Sequence, residues 1–252
     1  MITARRLIII AAGLIGLWQL VVLATKAPPY ILPGPWPVLQ AAIANGSTLL
    51  HHLQTTGIEM VAGLLVGTLL GTSCALVMII APLLRRWLLP VLVISQAVPV
   101  FALAPLLVLW LGYGMASKIA MAVLIIFFPV ASSFYQGMRR TNRDLLELAR
   151  IMGARPVNVL RFIVIPAALP AFASGLRVAT AVAPIGAVVG EWVGSSAGLG
   201  FYMLHANARM QVDVMFAALA LLSAVSLVLY FSVDYLLDKL IYWQPTQGVT
   251  HE

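Results

Sequence analysis

The chain has 252 residues, of which 62% are hydrophobic and 9% charged, and its mean hydropathy is +1.02. So apolar a composition leaves too few polar side chains to cover a water-soluble surface, which excludes a soluble globular domain. The formal charge of +7 does not indicate nucleic-acid binding, because basic residues beside membrane spans account for it. The sequence predicts an all-α integral membrane protein with one transmembrane domain over residues 1–252.

Long apolar stretches predict about six transmembrane helices, each with roughly the 20 residues that cross the hydrocarbon layer. The predicted spans are residues 7–25, 58–81, 88–112, 117–138, 169–193 and 214–236. The first follows Arg5 and Arg6 and resembles a signal peptide. Its apolar run exceeds a typical signal core and lacks a clean small-residue cleavage site, which favours a retained helix.

The glycines and prolines of the predicted spans indicate where helices pack closely and where they bend or break. Gly63, Gly67 and Gly71 recur every four residues in the second span, so they share one helix face and predict close helix packing. Proline removes a backbone donor and bends a helix, so the third, fourth and fifth spans are predicted to be bent or broken. The prolines concerned are Pro90, Pro99, Pro105, Pro129, Pro170 and Pro184.

The positions of Lys and Arg predict the orientation of the chain. With six spans and an internal N-terminus, all 15 of these residues except Lys26, Lys118 and Arg209 fall on the cytoplasmic side. Cytoplasmic segments of membrane proteins carry an excess of Lys and Arg. We therefore expect both termini inside, in the cytoplasmic (inner) membrane.

An arginine-rich segment, residues 139–166, separates the fourth and fifth predicted spans. Asn142 is suited to cap a helix, and Gly153 to end it in the left-handed conformation. Pro156 suits the first turn of a second helix, and Pro166 its end. The segment is predicted to form a short helix, a tight turn and another short helix on the cytoplasmic side, as a docking element.

The remaining polar residues give little sign of chemistry within this chain. No G-x-x-x-x-G-K-[ST] motif occurs, so the chain itself has no ATP-phosphate cradle, and the histidines and the single cysteine have no metal-ligand spacing. Glu59, Glu191 and Asp234 fall near predicted span ends, which favours interfacial positions over a proton relay. Arg177 is expected to extend to the cytoplasmic headgroups.

A G-x-S-x-G match leaves one catalytic alternative open. Gly194–Gly198 places Ser196 at the position of a nucleophile, with His205 nearby. The motif has that meaning only between a strand and a helix. Here it follows a membrane helix, so an intramembrane serine hydrolase is the weaker alternative. A structural membrane anchor that recruits a cytoplasmic partner is another.

Residues 139–166 contain a motif that resembles the EAA signature of permease subunits of binding-protein-dependent type I ABC importers, and we call them the coupling segment. Glu147-x-Ala149-x-x-x-Gly153, nine further residues and then Ile163-x-Ile165-Pro166 match the family spacing. Leu148 and Ile165 depart from its alanine and leucine but stay apolar. The resemblance implies a coupling helix that docks on an ATPase subunit, with Glu147, Ala149, Gly153, Ile163 and Pro166 as coupling residues.

Further motifs resemble the sulfonate, taurine and nitrate branch of this family. They are Leu32-Pro33-Gly34-Pro35, Ala97-Val98-Pro99, Trp110-x-Gly112-x-Gly114, Gly175-Leu176-Arg177 and Ala197-Gly198-Leu199-Gly200. The resemblance implies a homodimer of permeases, ABC ATPase subunits that bind the ATP, and an extracytoplasmic substrate-binding protein. Residues 190–200 and 205–211 resemble permeases for pyrimidine precursors of thiamine, with taurine or an alkanesulfonate as the alternative substrate.

Overall fold

The protein is described by a computed structural model over residues 4–243, with side chains from residue 9 onward. Its regular elements in this range are all helical. They are α1 (Ala4–Thr25), α2 (Pro35–Ala44), α3 (Gly46–Ile80), α4 (Pro82–Ser95), α5 (Val100–Leu111), α6 (Met115–Arg139), α7 (Arg143–Ile151), α8 (Pro156–Val159), a π-helical turn (Leu160–Val164), α9 (Ile165–Gly194), α10 (Leu199–Ala208) and α11 (Val212–Leu240). The predicted all-α class is confirmed.

Four helical stretches are long and apolar enough to cross a membrane: Gly46–Ile80, Met115–Arg139, Pro156–Gly194 and Val212–Leu240. The apolar pair α4 and α5 counts as a fifth if it is one bent span. The apolar part of α1, Ile9–Thr25, is shorter. A count of six spans, and the direction of the chain through the membrane, therefore stay predictions.

The predicted third span, residues 88–112, is broken into two helices. The axes of α4 and α5 meet at 105°, and Pro99 stands as the N-cap of α5. Proline disfavours helical geometry in the residue before it and has no amide to donate, so a helix cannot pass through this point unbroken. By contrast, α6 and α9 each continue past their internal prolines as single elements.

Pro166 does not end a helix, contrary to the prediction. A π-helical turn, Leu160–Val164, joins α8 to α9, and Pro166 lies in the first turn of α9. Proline is tolerated in a first turn, and a π-helical turn inserts an extra residue into the helical path. Helical backbone therefore runs from Pro156 to Gly194, so the coupling segment leads directly into a membrane helix.

Helix α6 packs between α3 and α9 through small residues. A Cβ at Gly63 of α3 would lie 2.5 Å from the Cβ of Ala122 in α6, and one at Gly186 of α9 would lie 2.6 Å from the Ala122 Cα. Cβ atoms at Gly67 and Gly71 would likewise crowd α6, at 2.7 Å and 3.0 Å from their nearest atoms. Glycine on both sides thus lets the three backbones approach closely.

Candidate functional site: the coupling segment and a buried polar cluster

Helix α7 of the coupling segment begins and ends through its own local chemistry. The Asp144 amide donates to Asn142 Oδ1 over 2.8 Å, which caps the helix. At the other end Gly153 has φ of +73°, and the amides of Gly153 and Ala154 donate to the carbonyls of Arg150 and Ala149. These two bonds form a Schellman motif, which accepts a left-handed glycine at little cost. The predicted cap and stop are thus both present.

The surface of α7 combines an acidic residue with exposed apolar ones. Glu147 is exposed, as are Leu148 and Ile151, the latter at 84%. Ala149 has the opposite environment, because it is 6% exposed and faces the chain itself. An exposed apolar helix face beside charged residues is typical of a protein-docking surface. Ala149 is thus buried while its neighbours are exposed, and its predicted role in contact with the ATPase stays a prediction.

A cleft of about 530 Å³ lies between α7 and the bundle. It is lined by Ile79 and Ile80 at the end of α3, by Leu146 and Arg150 of α7, and by Leu160 of the π-helical turn, among others. Ile163 and Pro166 are half-buried where this turn becomes α9. The coupling segment is consequently attached at its two chain ends and packs only partly on the bundle between them.

A polar cluster is buried at the other end of the bundle, between α3, α6 and α9. We define it as His52, Thr56, Glu59, Lys118 and Glu191. Lys118 Nζ lies 3.3 Å from Glu59 Oε1, and Glu59 is 0% exposed. Neither oxygen of the Glu59 carboxyl makes a hydrogen bond within the described part of the chain.

Three side chains of this cluster satisfy the first amides of α10. His52 Nδ1 accepts from the Gly198 amide over 3.0 Å, and Thr56 Oγ1 accepts from the Leu199 amide over 2.8 Å. Glu191 Oε2 accepts from the amides of Gly200 and Phe201. The Thr56 hydroxyl donates to Glu191 Oε1 over 2.6 Å. The amides at a helix start have no partner within the helix, and here all four find one on α3 or α9.

Gly198 makes this arrangement possible. Its φ of +119° favours glycine, and a Cβ there would overlap the Glu191 carboxyl group. At Gly200 a Cβ would lie 2.8 Å from Glu191 Oε2. The two glycines let the carboxylate approach the backbone of α10.

The structure places Glu59 and Glu191 of the polar cluster inside the helix bundle, while their predicted position near the membrane interface stays a prediction. Glu191 is 1% exposed, so both carboxyl groups are buried inside the bundle. The buried position of Glu59 could have been predicted from its spacing relative to the glycines of the same helix. Glu59 lies four residues before Gly63, on the helix face that the glycine stripe already assigns to packing. Glu191 has no comparable signal, because its partners are backbone amides of a later helix.

Arg177 forms ion pairs with two aspartates of α11. Its Nε lies 2.6 Å from Asp234 Oδ1, and one terminal nitrogen lies 2.6 Å from Asp238 Oδ1. The side chain therefore joins α9 to α11, where two carboxylates satisfy it within the protein. Its predicted extension to the cytoplasmic headgroups stays a prediction.

The G-x-S-x-G match lies between two helices, α9 and α10, and no strand precedes it within residues 4–243, which the structure describes. Ser196 is exposed, and the neighbouring Ser195 hydroxyl bonds to the Ala197 carbonyl within the same turn. His205 contacts the Phe201 ring and carbonyl. A nucleophile elbow needs a preceding strand, so the geometry does not support a serine hydrolase.

Residues 64–242 match the family described as "Binding-protein-dependent transport system inner membrane component". The chain belongs to this family. A probable ABC transporter permease protein of Haemophilus influenzae is 54% identical, over 93% of this chain and 96% of the relative. The formylaminopyrimidine transport permease protein ThiX of Halalkalibacterium halodurans is 36% identical, over 87% of this chain and 88% of the relative.

The fold is that of a type I ABC importer permease. The solved inward-facing structure of the MetNI methionine ABC transporter has a chain that matches with a TM-score of 0.61 at 20% identity. The match covers 77% of this chain and 94% of that one. This chain is thus a multi-pass inner-membrane permease of an importer for small solutes. Permeases of this type work with ATPase subunits, which hydrolyse the ATP, and with substrate-binding proteins, so the chain is not itself an enzyme.

Proposed function

We propose that the chain imports a pyrimidine precursor of thiamine, driven by an ATPase that docks on the coupling segment through Glu147 and Gly153. The exposed and independently capped helix α7 is the observation that carries the coupling part of this proposal. The 36% identity to the formylaminopyrimidine permease supports the substrate part.

Helix α7 is suited to transmit force between two proteins. Its cap at Asn142 and its stop at Gly153 fix its length without help from the bundle. Leu148 and Ile151 would enter an apolar groove on the ATPase, while Glu147 pairs with a basic group at its edge. Because Pro156–Gly194 is helical throughout, movement of α7 would pass through Ile163 and Pro166 into a membrane helix.

The proposed orientation has both termini in the cytoplasm. It puts the coupling segment and its arginines inside, where the ATPase is found, and puts the polar cluster and α10 towards the outer face. Labelling of single cysteines by a membrane-impermeant reagent tests it. A cysteine at Leu148 should be protected in intact cells, and one at Asn207 should be labelled. The reverse pattern would refute the orientation.

We also propose that two copies of the chain form the permease unit. The seven-residue spacing of Val178, Ile185 and Trp192 places all three on one face of α9, and each is more than half exposed. Such a spacing supports packing against a second helix, and the family resemblance implies a pair of permeases. Crosslinking of cysteines at Val178 should yield a dimer in membranes. Absence of that dimer would count against this face.

Docking on the ATPase is tested by co-purification from membranes. Leu148→Glu puts a charge into the proposed apolar contact and should abolish recovery of the ATPase subunit. The matched control is Ile31→Glu, since Ile31 is similarly exposed in the loop between α1 and α2, outside the coupling segment. Equal ATPase recovery with both variants would refute the docking site.

The substrate is tested on the binding protein that delivers it. Calorimetry with formylaminopyrimidine, hydroxymethylpyrimidine, taurine and an alkanesulfonate should give binding of a pyrimidine only. Uptake of the same labelled compound by proteoliposomes should require ATP. Binding of taurine or an alkanesulfonate without a pyrimidine would replace the proposed substrate and leave the permease assignment intact.

A further inference from the structure

A continuous helical stretch connects the coupling segment with the polar cluster. It starts at Pro156 with α8, passes through the π-helical turn into α9, and ends at Gly194, three residues after Glu191. At 1.5 Å per residue, these 39 residues span about 58 Å. One continuous helix therefore has the coupling segment at its first end and the polar cluster at its last.

Helix α10 is held at its start and exposed at its far end. Its first four amides bond to His52, Thr56 and Glu191, whereas Asn207, Arg209 and Gln211 at and after its end are exposed. Glu191 supplies two of these four bonds and is the one partner that belongs to α9. The carboxylate of Glu191 thus joins α10 to the helix that leads to the coupling segment.

From this arrangement we infer that Glu191 is a positioning residue. When a protein docks at α10, Glu191 transmits the displacement of α10 to α9 and so to the coupling segment. A protein that docks on the exposed end of α10 shifts that helix, and the two bonds to Glu191 pass the shift to α9. The inference rests on the proposed function, because the docking protein is the substrate-binding protein and the response is ATP hydrolysis by the attached subunit. Thr56 and His52 hold α10 to α3 and keep the two helices in register.

Burial explains why a carboxylate fits this task. Glu191 is 1% exposed, and its carboxylate accepts hydrogen bonds from the Thr56 hydroxyl and from two backbone amides. A change of partners would leave these donors unpaired inside the bundle. Charge-assisted hydrogen bonds of this kind are stronger than neutral ones. Movement of α10 relative to α9 is therefore costly, and the two helices move together.

The experiment uses the complete complex of permease, ATPase subunits and binding protein in proteoliposomes. Glu191→Ala should assemble and hydrolyse ATP at the basal rate, while the stimulation of hydrolysis by loaded binding protein falls about tenfold, within the usual range for coupling between sites. Glu191→Gln keeps a carbonyl acceptor for the amides and should restore most of the stimulation. Ser196→Ala, an exposed substitution in the same loop, is the matched control and should behave as the unaltered protein.

Two results would overturn the inference: full stimulation with Glu191→Ala, or a Glu191→Gln variant as defective as the alanine one. If Glu191→Ala fails to assemble, Thr56→Val provides the test, because it removes the acceptor for the Leu199 amide and one hydrogen bond to Glu191, while the Glu191 carboxylate keeps its two bonds to α10. A partial loss of stimulation with Thr56→Val supports the inference, and normal stimulation refutes it. An unaltered complex that the binding protein does not stimulate would instead contradict the proposed partner.

Discussion

Lys118 and Glu59 form an ion pair whose two side chains are almost wholly enclosed by the helix bundle. The Nζ–Oε1 distance is 3.3 Å, and the side-chain exposures are 7% and 0%. Charged groups in a membrane protein interior are costly and persist when they have a partner. The pair connects α3 to α6 next to the glycines that bring those helices together.

Removing one member of this pair is expected to destabilise the fold strongly. Lys118→Met leaves the Glu59 carboxyl buried without its cation, at a cost of about 3–5 kcal/mol. The double variant Glu59→Gln with Lys118→Met should recover much of that loss, because the lone charge is gone. Thermal unfolding of the purified permease measures both. The control is Lys239→Met, at an exposed lysine, which should unfold at the same temperature as the unaltered protein. Equal stability of Lys118→Met and Lys239→Met would contradict the prediction.

The glycine stripe of α3 can be tested within one helix. Gly63→Ala would place a methyl group 2.5 Å from the Ala122 Cβ, so α3 and α6 must separate. Overpacking of this kind costs about 1–3 kcal/mol. Gly57→Ala, where a Cβ meets nothing within 4 Å, should be neutral or slightly stabilising. Chemical denaturation in detergent compares the two, and a Gly63→Ala protein as stable as Gly57→Ala would contradict close packing at this site.

Gly153 is expected to be needed for its backbone conformation and not for space. Its φ is +73°, and a Cβ there meets nothing within 4 Å. Gly153→Val forces a β-branched residue into the left-handed region at a cost of about 1–2 kcal/mol, which should displace α7 and reduce ATP-driven uptake. Asn tolerates this conformation, so Gly153→Asn should retain most uptake. Equal uptake by both variants would indicate that the turn does not control coupling.

Exchanging the charged residues at positions 177 and 234 is expected to preserve part of the attraction between α9 and α11. Arg177→Asp places three carboxylates together, with Asp234 and Asp238, and should lower the yield of monodisperse protein in size-exclusion chromatography. Adding Asp234→Arg restores an opposite charge between α9 and α11 and should recover part of the yield. No recovery in the double variant would show that the position requires the geometry of arginine itself.

Local chemistry could be predicted from the sequence where it depends on neighbouring residues. Asn142 and Gly153 cap and end α7 as predicted, since both act within a few residues of themselves. The break at Pro99 follows for the same reason. Pro166 was the local prediction that failed, because the π-helical turn before it belongs to a helix that is held in place by its packing against α6.

The sequence by itself determined that this protein is a membrane-embedded helical permease in which α7 is capped and ended by its own neighbours, because hydropathy, caps and motif spacing are properties of contiguous residues. Only the tertiary structure decided that Glu59 meets Lys118 and that Thr56 meets Glu191, since each pair joins two helices that are distant in the chain. It also decided that Glu191 holds the start of α10. Hydrogen-bond partners of a buried carboxylate are fixed by how helices pack, and packing brings together groups whose spacing along the chain carries no signal.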